Sequence, residues 1–356
     1  MHVQHIVGAR PNFMKVAPVM AALDCHNTVR QSLVHTGQHY DRNMSDVFFE
    51  QLQIPKPDIS LGVGSGSHAR QTADIMIKLE ESLLEKRPDW MIVYGDVNST
   101  VAAALVCAKL QIPVAHVEAG LRSFDRNMPE EINRMVTDRL SDLYFTPSQD
   151  GDRNLLREGV DSQRIHCVGN VMIDTLKRLQ PRAVLPDLPG RAQKYGLVTL
   201  HRPSNVDDAD AFQQILASLL TISRDCQLVF PIHPRTRSRF PELIEELRSS
   251  DILTTDPVGY LEFLGLQQQA AFVITDSGGI QEETTYLGVP CLTLRENTER
   301  PVTVDIGTNI LIGKDMALLI EEVERILRGQ AKSGAVPEFW DGQASQRVAD
   351  VLLSVS

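Results

Sequence analysis

Acidic residues in a setting suited to catalysis recur within one short stretch of the chain. Asp96 and Glu118 each follow an apolar run with the character of a buried strand, and Glu130-Glu131 follows a proline that opens a predicted helix. Carboxylates that meet at a bound substrate can exchange protons with it and stabilise positive charge that develops on it. Simpler roles are open for each residue alone, because acids favour helix starts and Arg134 stands at ion-pair spacing from Glu130.

Two predicted strands must position these carboxylates. The runs Met91–Tyr94 and Val114–Val117 flank a helix of small residues, Val101–Leu110, which Ser99 or Thr100 can cap. Together they form one β-α-β unit, and ligands bind at the carboxyl ends of the strands in open α/β sheets. The pattern therefore predicts that the two carboxylates lie side by side at one sheet edge.

Two basic residues follow the first predicted strand, Val3–Val7. Arg10 stands in the turn after it, and Lys15 lies in the first turns of the helix Asn12–Leu23. A helix dipole disfavours cations at its N-terminus, so this pair is better explained by an anionic ligand such as a phosphate. A solvated lysine and an ion-paired arginine are the alternative.

A glycine-rich strand tip in the second half has the form of a phosphate site. Ser277, Gly278 and Gly279 follow the apolar strand Phe272–Thr275 and open a helix, which exposes backbone N–H groups without a Cβ in the way. Glu283, one turn into that helix, can accept hydrogen bonds from ribose hydroxyls. An ordinary capped turn is the simpler alternative.

Three further residues at strand tips or in loops could contact an anion or transfer a proton. His201 and His233 each end a predicted strand of the second half, and Arg300 lies in the loop before Pro301. A loop histidine is more often structural than catalytic. These residues are therefore candidates mainly because they are expected to lie together.

Composition limits the class of protein. The 356 residues are 42% hydrophobic and 23% charged, as in an ordinary globular protein, and the length favours two domains. The net charge of −11 argues against nucleic acid or anionic lipid as a partner. No apolar run is long enough for a membrane span, and no leader segment precedes the first strand, so a cytoplasmic location is expected. The five widely spaced cysteines predict neither disulfides nor a metal site.

Strands and helices alternate in both halves, with a proline-rich crossing at Gln180–Gly190. This order predicts an α/β fold of two doubly wound, Rossmann-like domains that face each other across a cleft. Residues 1–168 would carry the carboxylates and residues 169–342 the phosphate-binding tip. The C-terminal helix, about residues 343–356, would return to the first domain. A further helix is predicted at Met44–Gln51.

Motifs along nearly the whole chain resemble the non-hydrolysing UDP-N-acetylglucosamine 2-epimerases, enzymes with the two-domain GT-B fold. The resemblance is carried, in chain order, by GARPNFMKVAPV, TGQHYDRNM, GDVNSTVAAALVCAKLQIPVAHVEAGLRS, PEEINR, VTLHRPSN, PIHPRTR, TDSGGIQEET and RENTERP.

The resemblance implies roles for the residues already singled out. The catalytic groups of the family fall on Asp96, Glu118, Glu130 and His201. Its substrate-binding residues fall on Arg10, Lys15, Arg134, His233, Ser277, Gly278, Gly279, Glu283 and Arg300. The family is usually homodimeric and needs no nicotinamide or metal cofactor.

The implied reaction interconverts UDP-N-acetylglucosamine (UDP-GlcNAc) and UDP-N-acetylmannosamine (UDP-ManNAc), for cell-surface polysaccharide synthesis. UDP leaves by anti-elimination, which gives a 2-acetamidoglucal, and then adds back as C2 is reprotonated on the opposite face. A GT-B glycosyltransferase would share the fold and the UDP tip without needing three carboxylates. A non-catalytic UDP-sugar sensor would need no acid or base at all.

The sequence departs from the commoner family pattern at several motifs. GARPNFMK replaces GTRPEAIK, HRPS replaces HRRE, and Val302 replaces a glutamate. Asp41 stands where regulated members contact a second, allosteric UDP-sugar. These changes predict weakened or absent activation by UDP-GlcNAc. They also leave room for a related substrate, such as a UDP-2,3-diacetamido uronic acid.

Overall fold

The computed structural model describes residues 1–37, 52, 54–232, 234–247 and 250–355. The predicted helix Met44–Gln51, Asp41 and His233 lie outside the described residues. The chain divides into two compact units, Met1–Arg178 with Glu338–Ser356, and Leu179–Pro337.

The bounds of the elements follow the predicted alternation. The first unit contains β1 (His2–Val7), α1 (Arg10–Asp24), β2 (Arg30–His35), β3 (Ile59–Ser60), α2 (His68–Glu85), β4 (Trp90–Tyr94), α3 (Asn98–Leu110), β5 (Val114–Val117), α4 (Pro129–Leu140), β6 (Leu143–Thr146), α5 (Gln149–Arg157), β7 (Ile165–Cys167) and α6 (Val171–Leu179). The second contains β8 (Gly196–Thr199), α7 (Pro203–Val206), α8 (Ala209–Ile222), β9 (Leu228–Pro231), α9 (Pro234–Arg239), α10 (Pro241–Leu247), β10 (Ile252–Thr255), α11 (Tyr260–Gln269), β11 (Phe272–Thr275), α12 (Gly278–Leu287), β12 (Cys291–Thr293), α13 (Pro301–Asp305), β13 (Asn309–Leu311) and α14 (Met316–Leu327). The terminal helix α15 (Ala344–Ser354) returns to the first unit.

Both units are built on parallel sheets of the same doubly wound order. Within the described residues the first sheet runs β3-β2-β1-β4-β5-β6-β7, and the second runs β10-β9-β8-β11-β12-β13. The strand order reverses beside β1 and β4 in one sheet and beside β8 and β11 in the other. Such reversal points, at the carboxyl ends of the strands, are where α/β sheets bind ligands. The α/β fold of two Rossmann-like units is therefore confirmed.

Strand register places the predicted site residues level with one another. Tyr94 pairs with Val117, so the residues after β4 and β5 leave the sheet at the same height. Thr199 pairs with Thr275, which does the same for the residues after β8 and β11. The adjacency of Met91–Tyr94 and Val114–Val117 expected from the β-α-β pattern is confirmed.

The start of α3 was predicted incorrectly. The helix begins at Asn98 with Val97 at the N-cap position, so neither Ser99 nor Thr100 caps it. Their hydroxyls bond elsewhere, because Thr100 donates to the Tyr94 carbonyl at 2.8 Å and Ser99 bonds the Thr36 hydroxyl at 2.8 Å. Both contacts fasten the helix start to the ends of strands.

Helix α6 belongs to the first unit although the sequence suggested a boundary at residue 168. Thr175 donates to the Met14 carbonyl at 2.6 Å, and Asp174 accepts from the Ser345 backbone N–H at 2.7 Å. These bonds join α6 to α1 and to the start of α15. Among the described residues, no helix is long and apolar enough to cross a membrane. All five cysteines are free.

Candidate functional site

The carboxylate of Asp96, just beyond β4, is held by a buried arginine from α4. Asp96 Oδ2 lies 2.5 Å from Arg134 Nη1, and the Asp96 side chain keeps 23% of its surface exposed. Arg134 itself is almost fully buried. The structure thus fixes one edge of Asp96 against a cation and leaves another edge open to a ligand.

A second carboxylate, Glu131, shares the same guanidinium. Its Oε2 accepts from Arg134 Nη2 at 2.8 Å and from the Ser123 backbone N–H at 2.9 Å, and Oε1 accepts from the Phe124 N–H at 3.0 Å. Burial, the largest influence, would raise the pKa of Glu131. The Ser123 and Arg134 bonds outweigh it and lower that pKa. Glu131 therefore ties the loop after β5 to α4.

Glu118, directly after β5, is buried and ion-paired with Lys15 of α1. Its backbone has a φ of 74°, an uncommon conformation for a residue with a side chain. A Cβ at Gly95 would lie 2.7 Å from Lys15 Nζ and 3.3 Å from Glu118 Oε2, so only glycine leaves room for the pair. The backbone at the β4 tip is thus shaped around this ion pair.

The remaining predicted residues of the first unit flank the same edge. Arg10 is the first residue of α1, next to the tip of β1, and β1 pairs directly with β4. Glu130 is half-buried in the first turn of α4. The sheet edge therefore carries two fixed carboxylates, Asp96 and Glu118. Glu130 is the residue before Glu131 in the first turn of α4.

In the second unit, the N-terminus of α12 has the features of an anion site. Ser277 is the N-cap residue, but its side chain makes no capping bond to the first turn of the helix. A Cβ on Gly278 would lie 2.5 Å from Arg300 Nη1, so glycine lets this guanidinium lie against the helix start. Gly279 is the next residue of that turn. Backbone N–H groups, a helix dipole and a guanidinium together favour a phosphate.

Arg300 is positioned by buried acids. Its Nε lies 2.8 Å from Glu282 Oε1, and its Nη1 bonds Glu299. Glu299 in turn accepts from Arg295 at 2.6 Å. The network holds Arg300 at the helix start while balancing its charge.

Glu283 is 3% exposed and accepts from the Tyr260 hydroxyl at 3.0 Å. This bond fixes the carboxylate inside the second unit, between α12 and the start of α11. Glu283 thus stands one turn from the candidate phosphate site at residues 277–279, as the sequence predicted. Its contact with a ribose stays a prediction.

His201, at the tip of β8, is oriented by Asp276 at the tip of β11. His201 Nδ1 lies 2.9 Å from Asp276 Oδ1, and the imidazole is 60% exposed. Asp276 is fully buried and also accepts from the backbone N–H of Arg202 and from Asn205 Nδ2. Burial, the largest influence, would raise the pKa of Asp276, but the His201 and backbone bonds lower it. The ring is therefore held with Nε2 away from the carboxylate.

A model of the protein family described as UDP-N-acetylglucosamine 2-epimerase matches residues 21–353. The chain belongs to this family.

Relatives from this epimerase family match over the full length. The UDP-N-acetylglucosamine 2-epimerase of Methanocaldococcus jannaschii is 43% identical, over 99% of this chain and 99% of that protein. The UDP-2,3-diacetamido-2,3-dideoxy-D-glucuronate 2-epimerase of Pseudomonas aeruginosa is 41% identical, also over 99% of each. A crystal structure of the M. jannaschii enzyme in complex with UDP-GlcNAc and UDP matches with a TM-score of 0.91, 42% identity, and coverage of 99% of this chain and 100% of that one.

Two positioning groups of this epimerase-family chain escaped the sequence reasoning. Asp276 stood within the glycine-rich motif, yet its bond to His201 depends on β8 lying beside β11, which the chain order does not reveal. Glu131 was seen only as a helix-start acid. The sequence signal for both was that each carboxylate stands directly next to a candidate site residue in the chain.

Proposed function

We propose that this chain interconverts UDP-GlcNAc and UDP-ManNAc at C2 without hydrolysis. The observation that supports this most is at the edge of the first sheet, where Asp96 and Glu118 follow the paired ends of adjacent strands and each contacts a buried cation. Membership of the epimerase family and the UDP-GlcNAc complex of a 42% identical enzyme agree with it.

The chemistry asks for more than one carboxylate. The C2 proton of the sugar has no carbonyl beside it, so it is removed as UDP leaves C1 by anti-elimination, forming a 2-acetamidoglucal. UDP then adds back to C1 while C2 receives a proton on the opposite face. Asp96, Glu118 and Glu130 are proposed to exchange these protons and to stabilise oxocarbenium character at C1. Arg134 and Lys15 would hold the carboxylates in place, with Arg10 beside them.

The second unit is proposed to hold the nucleotide. Ser277, Gly278, Gly279 and Arg300 suit the diphosphate, and Glu283 suits the ribose. His201, oriented by Asp276, and His233 would act near the leaving diphosphate. Tight binding of the diphosphate would keep UDP in the site so that it can add back to C1.

A second substrate is favoured by the 41% identical P. aeruginosa relative, whose name specifies a UDP-2,3-diacetamido uronate. That sugar carries a carboxylate and a second acetamido group absent from UDP-GlcNAc. The same elimination at C1 and C2 would serve it.

The deciding experiment incubates the protein with UDP-GlcNAc in D₂O and follows the sugar by NMR. We expect deuterium at C2 together with UDP-ManNAc. Free N-acetylmannosamine and UDP would instead indicate a hydrolase. No exchange at C2, with the diacetamido uronate exchanging in a parallel tube, would assign the second substrate. No exchange with either sugar would exclude the epimerase function in favour of a transferase or sensor.

Assembly, location and pathway are proposed on the family resemblance. We expect a cytoplasmic homodimer that supplies UDP-ManNAc for surface polysaccharide synthesis. Sedimentation equilibrium that gives the mass of one 39.6 kDa chain would contradict the dimer.

A further inference from the structure

A buried histidine in β5, His116, stands two residues before Glu118 and has no role in the reaction proposed above. His116 is fully buried, its Nδ1 lies 2.7 Å from Asp138 Oδ1, and its Nε2 lies 2.8 Å from the Gly95 carbonyl oxygen. The ring therefore spans from α4 to the tip of β4.

Both partners of His116 are hydrogen-bond acceptors. Asp138 Oδ2 accepts from Arg122 Nη1 at 2.7 Å and from the Gly120 N–H at 3.1 Å. Burial, the largest influence, would raise the pKa of Asp138, but the charges and bonds of His116 and Arg122 lower it. A carboxylate and a peptide carbonyl can only accept hydrogen bonds, so each ring nitrogen of His116 faces an acceptor.

The location of these bonds matters for catalysis. The Gly95 carbonyl belongs to the peptide that carries Asp96, and Gly95 has a φ of 61°, a conformation that few other residues would hold. Asp138 also binds the backbone of Gly120, two residues after Glu118. One buried group thus fixes the backbone next to both carboxylates.

We propose that His116, held by Asp138, is a positioning residue that sets the Gly95-Asp96 peptide and so aims Asp96 at the sugar. The proposal rests on the epimerase function proposed above. It assigns His116 no proton transfer with the substrate, because the ring is enclosed by Asp138 and Gly95.

Two substitutions separate the two hydrogen bonds. In His116→Gln the terminal amide reaches the place of Nε2 and can still donate to Gly95, whereas in His116→Asn the shorter amide replaces Nδ1 and can donate only to Asp138. We expect kcat for C2 exchange in His116→Gln to stay within about 10-fold of the wild-type value. His116→Asn should lower kcat about 100-fold with KM and UDP affinity nearly unchanged, as for a misplaced catalytic group.

The opposite ranking would overturn the proposal, because a merely structural histidine needs mainly its bond to buried Asp138. Equal losses in both variants, or a loss of UDP affinity in place of kcat, would overturn it too.

Two measurements that need no C2 exchange guard against variants that fail to fold. Circular dichroism and the Kd for UDP are measured on wild type, His116→Gln and His116→Asn, and we expect all three proteins to give the same spectrum and affinity. Loss of the folded spectrum in His116→Asn would show that the ring supports the fold in general and would overturn the proposal. These measurements are separate from a failure of the wild-type protein to exchange C2, which would instead refute the proposed epimerase function.

Discussion

At the scale of single residues, Asp96 is held by Arg134, which also binds Glu131. Asp96→Asn should therefore leave the guanidinium anchored while removing the group proposed to exchange a proton. We expect C2 deuterium exchange to fall by at least about 100-fold, and the Kd for UDP to change less than about 2-fold. NMR exchange and calorimetric UDP binding measure the two effects.

The matched control is Asp142→Asn. Asp142 precedes β6 at the amino end of the same sheet, where it accepts from the Val114 N–H at 2.9 Å. The Asp142→Asn substitution should leave C2 deuterium exchange unchanged. Lost UDP binding in Asp96→Asn would mean that this carboxylate is a ligand contact or a structural group instead.

The bond between Asp276 and His201 gives a second residue-scale prediction. In Asp276→Asn only one acceptor oxygen remains, and the Arg202 N–H and Asn205 Nδ2 compete for it, so His201 loses its carboxylate partner. We therefore expect kcat to fall to nearly the level of His201→Ala. When His201→Ala is already present, Asp276→Asn should cost little more, because residues that act through one contact are not additive. Steady-state kinetics of the single and double variants measure this coupling.

Asn205→Ala serves as the control for Asp276. It removes another partner of the carboxylate, at 3.0 Å, but leaves the imidazole bond intact. We expect its kcat to stay near that of the wild type. If Asn205→Ala falls as far as Asp276→Asn, then Asp276 supports the strand tips generally and does not orient His201 in particular.

At the scale of elements, apolar runs and turn residues were enough to predict the central strands. Val114–Val117 and Phe272–Thr275 have the predicted bounds, and Met91–Tyr94 gains one residue at its start. What the runs could not show is which strands neighbour each other across the reversal point. The bond of His201 to Asp276 needs that adjacency, so it was not predictable from the order of residues.

The ion pairs at the strand tips show the same limit of prediction from sequence. The sequence could place Asp96, Glu118 and Ser277 at strand tips, because each follows an apolar run. It could not show that Arg134 and Lys15 would be buried against those carboxylates. Buried ion pairs depend on three-dimensional packing between helices and strands that local patterns do not encode.

The start of α12 supports a prediction about an element. Gly278→Ala places a Cβ 2.5 Å from Arg300 Nη1 and should displace the guanidinium from the helix start. Alanine favours a helix over glycine by about 1 kcal/mol, so the fold should not suffer from helix propensity. We therefore expect UDP affinity to fall about 10-fold with little change in thermal stability, measured by calorimetry.

The same unit offers a matched control in Gly259, the N-cap residue of α11. A Cβ there would meet only Glu262 Oε2, at 3.4 Å. Gly259→Ala should leave UDP affinity unchanged. If both variants weaken UDP binding equally, the effect belongs to general loosening of helix starts and Arg300 is not the cause.

At the scale of the whole molecule, the two units repeat one plan. Each sheet reverses its strand order once among the described residues, and each unit holds a histidine beside its strand tips with a buried aspartate. Asp276 lies against His201, and Asp138 lies against His116, whose other ring nitrogen is 2.8 Å from the Gly95 carbonyl oxygen. The two parts of a UDP-sugar, a nucleotide diphosphate and a sugar ring, match this repetition of one scaffold with different tips.

Burial of the first sheet also determines how stability responds to pH. His5 in β1 is fully buried between Tyr94 and Gln31, and burial lowers its pKa from 6.5 to about 4, although the Gln31 bond opposes the change. Between these values the unfolded chain binds a proton that the folded chain does not. Stability must therefore fall as pH drops from 6.5 to about 4, by about 3 kcal/mol from this residue.

We expect the urea midpoint of unfolding to decrease between pH 7.5 and pH 4.5, and His5→Gln to reduce that decrease, since glutamine does not titrate. His68→Gln, at an exposed histidine that opens α2, should keep the full decrease. Equal pH dependence in both variants would show that His5 titrates in the folded protein as it does in the unfolded chain. In that case the acid sensitivity of the first unit would come from its other buried groups, such as His35, whose pKa burial also lowers.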